Sequence, residues 1–542
     1  MIKRNLLLWF CSLGILFPLC TNASNQQLDW TPVTNCLWLA SNLSNLLQDP
    51  SLVETQALPI DESTFIDDWT LQDYSSSYFV DYNWKERLIT LLMWPKDPKW
   101  STVDFKYAKK VWKIKLPFGF SNVRTRVYNN NYLIILAEHL DYDRRVETVG
   151  IFYDLTDAKI TPYYYFARTW KIIKLHEQEW KLFVIFNAPF DKATAQTFVK
   201  KDGNLPWIFP KFTEWVKYWL DPQPKVSTCR EYNYLQLPSN QLPSFWSIMV
   251  LNLNNLKISK DVYNLFGTVS QFAFTEKAMY ITVPWDWGTT VVQKFWIDPK
   301  INLQKSVLID VPVLDWGVYA QDMRLAFITK RASWKINQYA LLPFDSSFAP
   351  WQEKVLYTSE DNFSNVEYHS NAIFLRNKDK LVSVWELSTS WISTHNAIEL
   401  PLKEHKYYLF WSSPFSLIDL STSDSKLSFS VIEMDKAQWK FKQISKARYP
   451  WESSLIGPIS WNVKTRILVA PVRMQWSPAF EWLKWLQFTT KWAVSEIMAR
   501  SYWASSSVET VKQLQDYSFS VTDKLVDLFL PNNTISKKVF SR

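Results

Sequence analysis

Glycine is nearly absent from this chain. It occurs 8 times in 542 residues, where average usage of about 7% would give roughly 38. Glycine reaches positive φ without steric cost and so supplies most tight turns. A folded chain with so few must make its turns almost without it. The 5 histidines, His139, His176, His369, His395 and His405, are scattered. They form no HExxH motif and no paired ligand spacing, so no histidine metal site is expected. No run of five basic residues occurs, and the net charge of +8 is dispersed. That describes a solvated surface, and no nucleic-acid partner is expected. Beyond the N-terminus no stretch of 18 apolar residues exists, so no transmembrane segment is expected in the mature chain.

What the chain does have is a large apolar supply. Hydrophobic residues make up 47% and charged residues 21%, which excludes global disorder and allows a sizeable core. The length fits two to four ordinary domains or one large repeat domain. Tryptophan is the excess: 31 residues, which with the 8 glycines make 39. Asp-Trp occurs at Trp30, Trp69, Trp287 and Trp316, and Asn83-Trp84 lies between two strand-like runs where Asn-Gly would make a type I′ hairpin turn. Trp180, Trp334 and Trp439 each sit in a polar turn between apolar stretches. This placement suggests that many tryptophans are UGA codons which the source reads as glycine. A truly Trp-rich, Gly-poor protein is the alternative, and UGG codons at these positions would establish it.

Residues 1–23 read as a secretory signal: Lys3 and Arg4, an apolar Leu6–Leu19, then Thr21-Asn22-Ala23 before Ser24. An uncleaved anchor is the competing reading. The expected location is extracellular, or in the envelope or periplasm. Cleavage removes Cys11 and Cys20 and leaves Cys36 and Cys229. An oxidising compartment permits a disulfide between them, although the sequence does not show that they meet.

Strand signals dominate from about residue 77 to 500. A unit recurs in which an apolar strand is followed by a polar turn and an alternating strand. Its first members are Tyr132–Ala137, Leu182–Phe186, Met279–Val283, Leu325–Thr329, Ala372–Leu375, Phe415–Leu420 and Ile467–Ala470. Their partners are Thr148–Asp154, Ser247–Leu253, Val291–Ile297, Ile336–Leu341, Leu381–Glu386, Leu427–Glu433 and Leu486–Thr489. A four-stranded unit at about 40–50 residues is the sign of a β-propeller blade. The expected fold is therefore all-β, a β-propeller of about seven four-stranded blades, with eight as the alternative; a β-sandwich pair is the competing architecture. The divisions are 1–23 signal peptide, 24–76 irregular segment, 77–505 propeller with an insertion at 191–243, and 506–542 closing segment or tail. Thr34–Leu47, Ala193–Lys200 and Thr213–Leu220 look helical, and Val508–Leu530 reads as a helix or a last strand.

Several passages then resemble the secreted "beta propeller domain" family of bacteria and archaea. Val149–Ala158, "VGIFYDLTDA", is similar to that family's strand and turn, and Phe166–Pro189 to the Arg-containing strand that follows. Cys229–Leu253, Thr289–Ile297 and Ser460–Val472 resemble further strands, and Ala479–Thr490 carries Trp482 where the family has glycine. The likeness runs from about Asp67 to Leu530. It implies the propeller fold and brings no catalytic residues.

No catalytic constellation is legible, and no catalytic, cofactor-binding or metal residue is assigned. Asp141-Tyr142-Asp143 and Asp154–Asp157 can bind Ca²⁺, but carboxylates so spaced are more often β-turn residues, so no cofactor is expected. Tyr163–Phe166 read as core rather than as a stacking platform. The residues favour an exported binding or scaffold module with a protein, peptide or glycan ligand. An extracytoplasmic hydrolase or lyase with carboxylates at the channel mouth, or a structural envelope protein, are the alternatives.

Overall fold

A computed structural model of the chain describes residues 30–54 and, between 76 and 541, the helices and strands with most of their connections. Residues 1–29, 55–75 and 96–109 and a set of short loops lie outside the described residues, and so does the signal sequence. Among the described residues there are two α-helices, α1 (Cys36–Leu47) and α2 (Lys192–Lys200), and the rest of the regular structure is almost entirely strand.

The strands form sheets in chain order, antiparallel except where one added strand of the third sheet pairs in parallel. The first, at 76–115, has three strands. The second and third, built on 121–169 and 171–267, have four strands each, extended to six by added edge strands. The fourth, fifth and sixth, at 271–309, 313–359 and 365–401, have four each. An eight-stranded sheet follows at 405–503, and a four-stranded sheet at 508–541. The seven apolar runs of the sequence are the second strands of successive four-stranded units, and their alternating partners are the third strands.

The apolar runs of the second to fifth sheets are nearly continuous because their second strands are buried on both faces. In Tyr132–Leu140, side chains alternate between two cores. Tyr132, Ile134 and Leu136 pack toward the third sheet, and Leu133 and Ile135 toward the first. The pattern repeats down the chain. In the third sheet Leu182, Val184 and Phe186 face back, and Phe183 and Ile185 face forward. In the fourth Met279, Ile281 and Val283 face back, and Ala278 and Tyr280 forward. In the fifth Leu325 and Phe327 face back, and Ala326 and Ile328 forward. The second to fifth sheets are thus each sandwiched between their chain neighbours. The first strands of the fourth, fifth and sixth sheets touch in succession. Four-stranded meanders stacked face to face, with first strands adjacent, make this all-β chain a β-propeller.

Three local expectations change. Thr213–Leu220, read as helical, contributes a strand, Lys211–Val216, which pairs with Pro162–Thr169 from Phe212↔Arg168 to Val216↔Tyr164. The free edge of the second sheet and the burial of Phe212 override local helical spacing. Asn83 is the last strand residue and pairs with Leu88, so that hairpin has a four-residue loop, not a two-residue Asn-Trp turn. Residues 508–530 hold three strands of a separate sheet, neither a helix nor one closing strand. The count of seven units includes neither this sheet nor the one at 76–115.

Candidate functional site

Two regions depart from a plain stack of sheets. The first is a module made by residues 30–54 and the 191–243 insertion. Asn35 caps α1 by accepting from the Trp38 N–H at 2.8 Å, and Asp191 caps α2 by accepting from the Thr194 N–H at 2.6 Å. Leu39 and Leu43 of α1, and Ala195 and Phe198 of α2, join the core between the second and third sheets. Cys36, the first residue of α1, is disulfide-bonded to Cys229, with Cα atoms 5.5 Å apart. The backbone after α2 passes directly over this corner. Gly203 has φ +78°, and a Cβ there would meet the Cys36 carbonyl, so this glycine is required. Strand Lys211–Val216 extends the second sheet, while Tyr232–Tyr234 pairs in parallel with Ser259–Gly267 of the third. The insertion therefore binds two neighbouring sheets at their outer edges.

Beneath the module lies Arg168, which is 2% exposed. Its guanidinium stands 5.3 Å from the Trp170 ring, 5.2 Å from Phe186 and 5.9 Å from Phe212. It donates to Asn264 Oδ1 at 3.3 Å. Burial pushes its pKa down to about 10, offset in part by Tyr232 and Glu231, so it stays charged at neutral pH. Being enclosed, Arg168 ties the second sheet to the third and is not placed to meet a ligand. In the sequence it stands out only as part of an Arg-containing strand.

The second region is open. Where the third and fourth sheets meet, an open cavity of about 430 Å³ is lined by Gln178, Lys181, Glu276, Lys277, Trp296, Ile297 and Asp298. Gln178 and Lys181 pair at the tip of the first hairpin of the third sheet. Glu276 and Lys277 form the corresponding turn of the fourth, closed by the Thr275 N–H donating to the Ala278 carbonyl at 2.9 Å. Trp296 ends the strand Thr290–Trp296. Lys181 Nζ donates to Asp298 Oδ1 at 2.7 Å and to the Ile297 carbonyl at 3.3 Å. Trp296 is 37% exposed, and Lys294 Nζ lies 5.1 Å from its ring centroid. The Gln178 side-chain oxygen is buried and accepts no hydrogen bond from the described residues. Sequence reading misses this cleft because its residues come from three separate turns.

No family model matches the chain, and no curated protein does. Three solved structures similar to it are distant in sequence. The β-propeller domain of the Trilobed protease from Pyrococcus furiosus is 9% identical, with TM-score 0.29, covering 70% of this chain and 97% of that one. An uncharacterized protein from Listeria monocytogenes EGD-e is 11% identical, with TM-score 0.25, covering 54% and 90%. Hsv2p of Kluyveromyces lactis is 11% identical, with TM-score 0.25, covering 49% and 76%. The propeller assignment rests on the sheet order and the paired cores described above.

The remaining sequence candidates do not converge. His139 Nε2 lies 3.1 Å from Glu147 Oε2 on neighbouring strands, stacked on Phe120. His369 and His405 occupy strands of different sheets, and His395 lies outside the described residues. Among the described residues no group of three or more His, Cys, Asp or Glu side chains could hold a metal. Asp141, Asp143 and Asp157 lie outside the described residues, while Asp154 ends a strand. Tyr164 and Phe166 are core residues, and the Tyr164 hydroxyl donates to Glu214 at 2.8 Å.

His176 lies two residues before Gln178 and stacks on Phe274 of the next sheet, centroids 4.1 Å apart. Burial, with Lys174 nearby, lowers its pKa to about 4 from 6.5. Between those values the unfolded chain binds a proton that the folded chain refuses. The stability tied to keeping this buried ring neutral is therefore complete above pH 6.5 and is lost as pH falls toward 4, by about 3 kcal/mol. Urea unfolding from pH 7 to 4 should show this slope, and His176→Phe should flatten it.

Proposed function

We propose that this chain is an exported β-propeller acting as a binding or scaffold module. The cleft between the third and fourth sheets carries the reading. It is open, joins an exposed tryptophan to a mixed polar rim, and has its Asp298 carboxylate already engaged by Lys181. A carboxylate so held is poorly placed as one half of an acid–base pair. Export is supported by the N-terminal 23 residues and by a disulfide that suits an oxidising compartment. The test offers peptide and glycan arrays to the immobilised mature chain and weighs what is released. A ligand recovered at unchanged mass supports a binding module. Shortened products would transfer the site to a hydrolase or lyase.

We also propose that tryptophans in tight hairpins stand at glycine positions, in keeping with the propeller-family resemblance. The pairing Gln178↔Lys181 leaves two loop residues, Glu179 and Trp180. The pairing Ser333↔Ile336 leaves Trp334 and Lys335. Two-residue loops favour type I′ or II′ turns, which need positive φ at one or both positions. Trp180 and Trp334 lie outside the described residues, and loop length alone marks them. By contrast, Trp246 is buried and donates from Nε1 to the Gly267 carbonyl at 3.1 Å, a site suited to an indole. Trp180→Gly and Trp334→Gly should each stabilise the fold by about 1–2 kcal/mol. Tryptic peptides of the native protein should carry glycine masses at 180 and 334 and tryptophan at 246. Tryptophan masses at both loops would end the proposal.

A further inference from the structure

We infer that the cleft between the third and fourth sheets is a subsite for a neutral sugar, with Trp296 as the platform on which the ring stacks. The inference rests on the binding-module reading and names its ligand class. The volume of about 430 Å³ lies in the range of small-ligand sites, roughly 300–1,000 Å³. Trp296 supplies a wide, flat apolar surface with one polar N–H, which suits a pyranose whose C–H face is apolar and whose edge carries hydroxyls. Lys294 Nζ, 5.1 Å from the ring centroid, helps hold the indole in place.

The rim decides the ligand's charge. Lys181 and Asp298 neutralise each other in their 2.7 Å ion pair. Glu276 and Lys277, adjacent in one turn, carry one charge of each sign. These lining residues carry no net charge to select an anion such as a phosphate, or a cation, and the nearby Lys294 ammonium is engaged by the Trp296 and Phe348 rings. Hydrogen bonding remains. Glu276 can accept and Lys277 can donate. Hydroxyl groups do both, so one sugar ring can satisfy the two side chains together. An extended peptide would use a free strand edge, and the lining here is hairpin tips and strand ends.

The test is calorimetric titration of the mature chain with neutral trisaccharides of β-glucan, xylan and chitin type. An acidic oligosaccharide and a peptide pool serve as comparisons. At least one neutral trisaccharide should bind, and raising salt from 50 to 500 mM should change its affinity less than twofold. Trp296→Ala should weaken it tenfold or more. Trp296→Tyr should retain most of the affinity. Because Trp296 is exposed, Trp296→Ala should unfold at the same temperature as the parent. Peptide binding that Trp296→Ala abolishes would overturn the sugar assignment and leave the binding module standing. Sugar binding unaffected by Trp296→Ala would place the ligand elsewhere on the module and overturn the inference. A glycine mass at residue 296, or no binding of any neutral trisaccharide, would also overturn it. Cleavage of the bound trisaccharide would instead overturn the binding-module reading.

Discussion

Replacing Cys36 and Cys229 together by serine is expected to cost about 5 kcal/mol, the largest effect of any two-residue change outside the sheets. The bond closes a loop with a sequence separation of 193 residues. In the chain-entropy account a loop of that size stabilises by about 5 kcal/mol, because the open chain gains the freedom that the bridge removes. The loss should be local first. α1 and α2 owe their shared place to Leu39, Leu43 and Phe198 in a common core, and those contacts survive the substitution. The module at 30–54 and 191–243 should therefore loosen before the sheets do. Limited proteolysis should cut within these two segments in the variant, and in the parent under reductant, while fragments of the fourth and fifth sheets stay intact. Equal digestion of parent and variant, with and without reductant, would show that the two thiols are not paired.

The fold is legible where the sequence is buried on both sides. Leu182–Phe186 is an uninterrupted apolar run and Met279–Val283 is broken only by Thr282, because alternate residues serve different cores. In a chain full of turns, so short an apolar run marks a strand enclosed by two layers. The sheet at 508–541 is harder to read, because Val508, Val511 and Leu514 are spaced three apart, as on one face of a helix. The strand Lys211–Val216 reads as helix because its partner, Pro162–Thr169, is some fifty residues away and no local signal marks a vacant sheet edge. The cleft is illegible for the same reason at larger scale. Lys181 and Asp298 are 117 residues apart, and only the stacking of two sheets makes them neighbours. Turn residues carry weak periodicity, so sites built from turns are the part of a repeat protein that sequence reading reaches last.

Arg168→Ala is expected to destabilise the chain by about 3 kcal/mol, whereas Arg168→Met should cost less than about 1.5 kcal/mol. The difference follows from what the guanidinium contributes. It fills the space among Trp170, Phe186 and Phe212 at the boundary of the second and third sheets. Alanine would leave that space empty between three aromatic rings, and packed sheets close such a cavity only in part. Methionine keeps most of the volume and removes the burial cost of a charge. Asn264 Oδ1 is not stranded by either change, because it also accepts from the Ser247 hydroxyl at 2.7 Å. Lysine would keep the charge but lose the flat face that stacks on rings, so Arg168→Lys should fall nearer to alanine than to methionine. Denaturant midpoints of the three variants order these outcomes. If methionine costs as much as alanine, the cation itself and not its volume holds the two sheets together, and the interaction of the guanidinium with Trp170 and Phe186 becomes the dominant contact at that boundary.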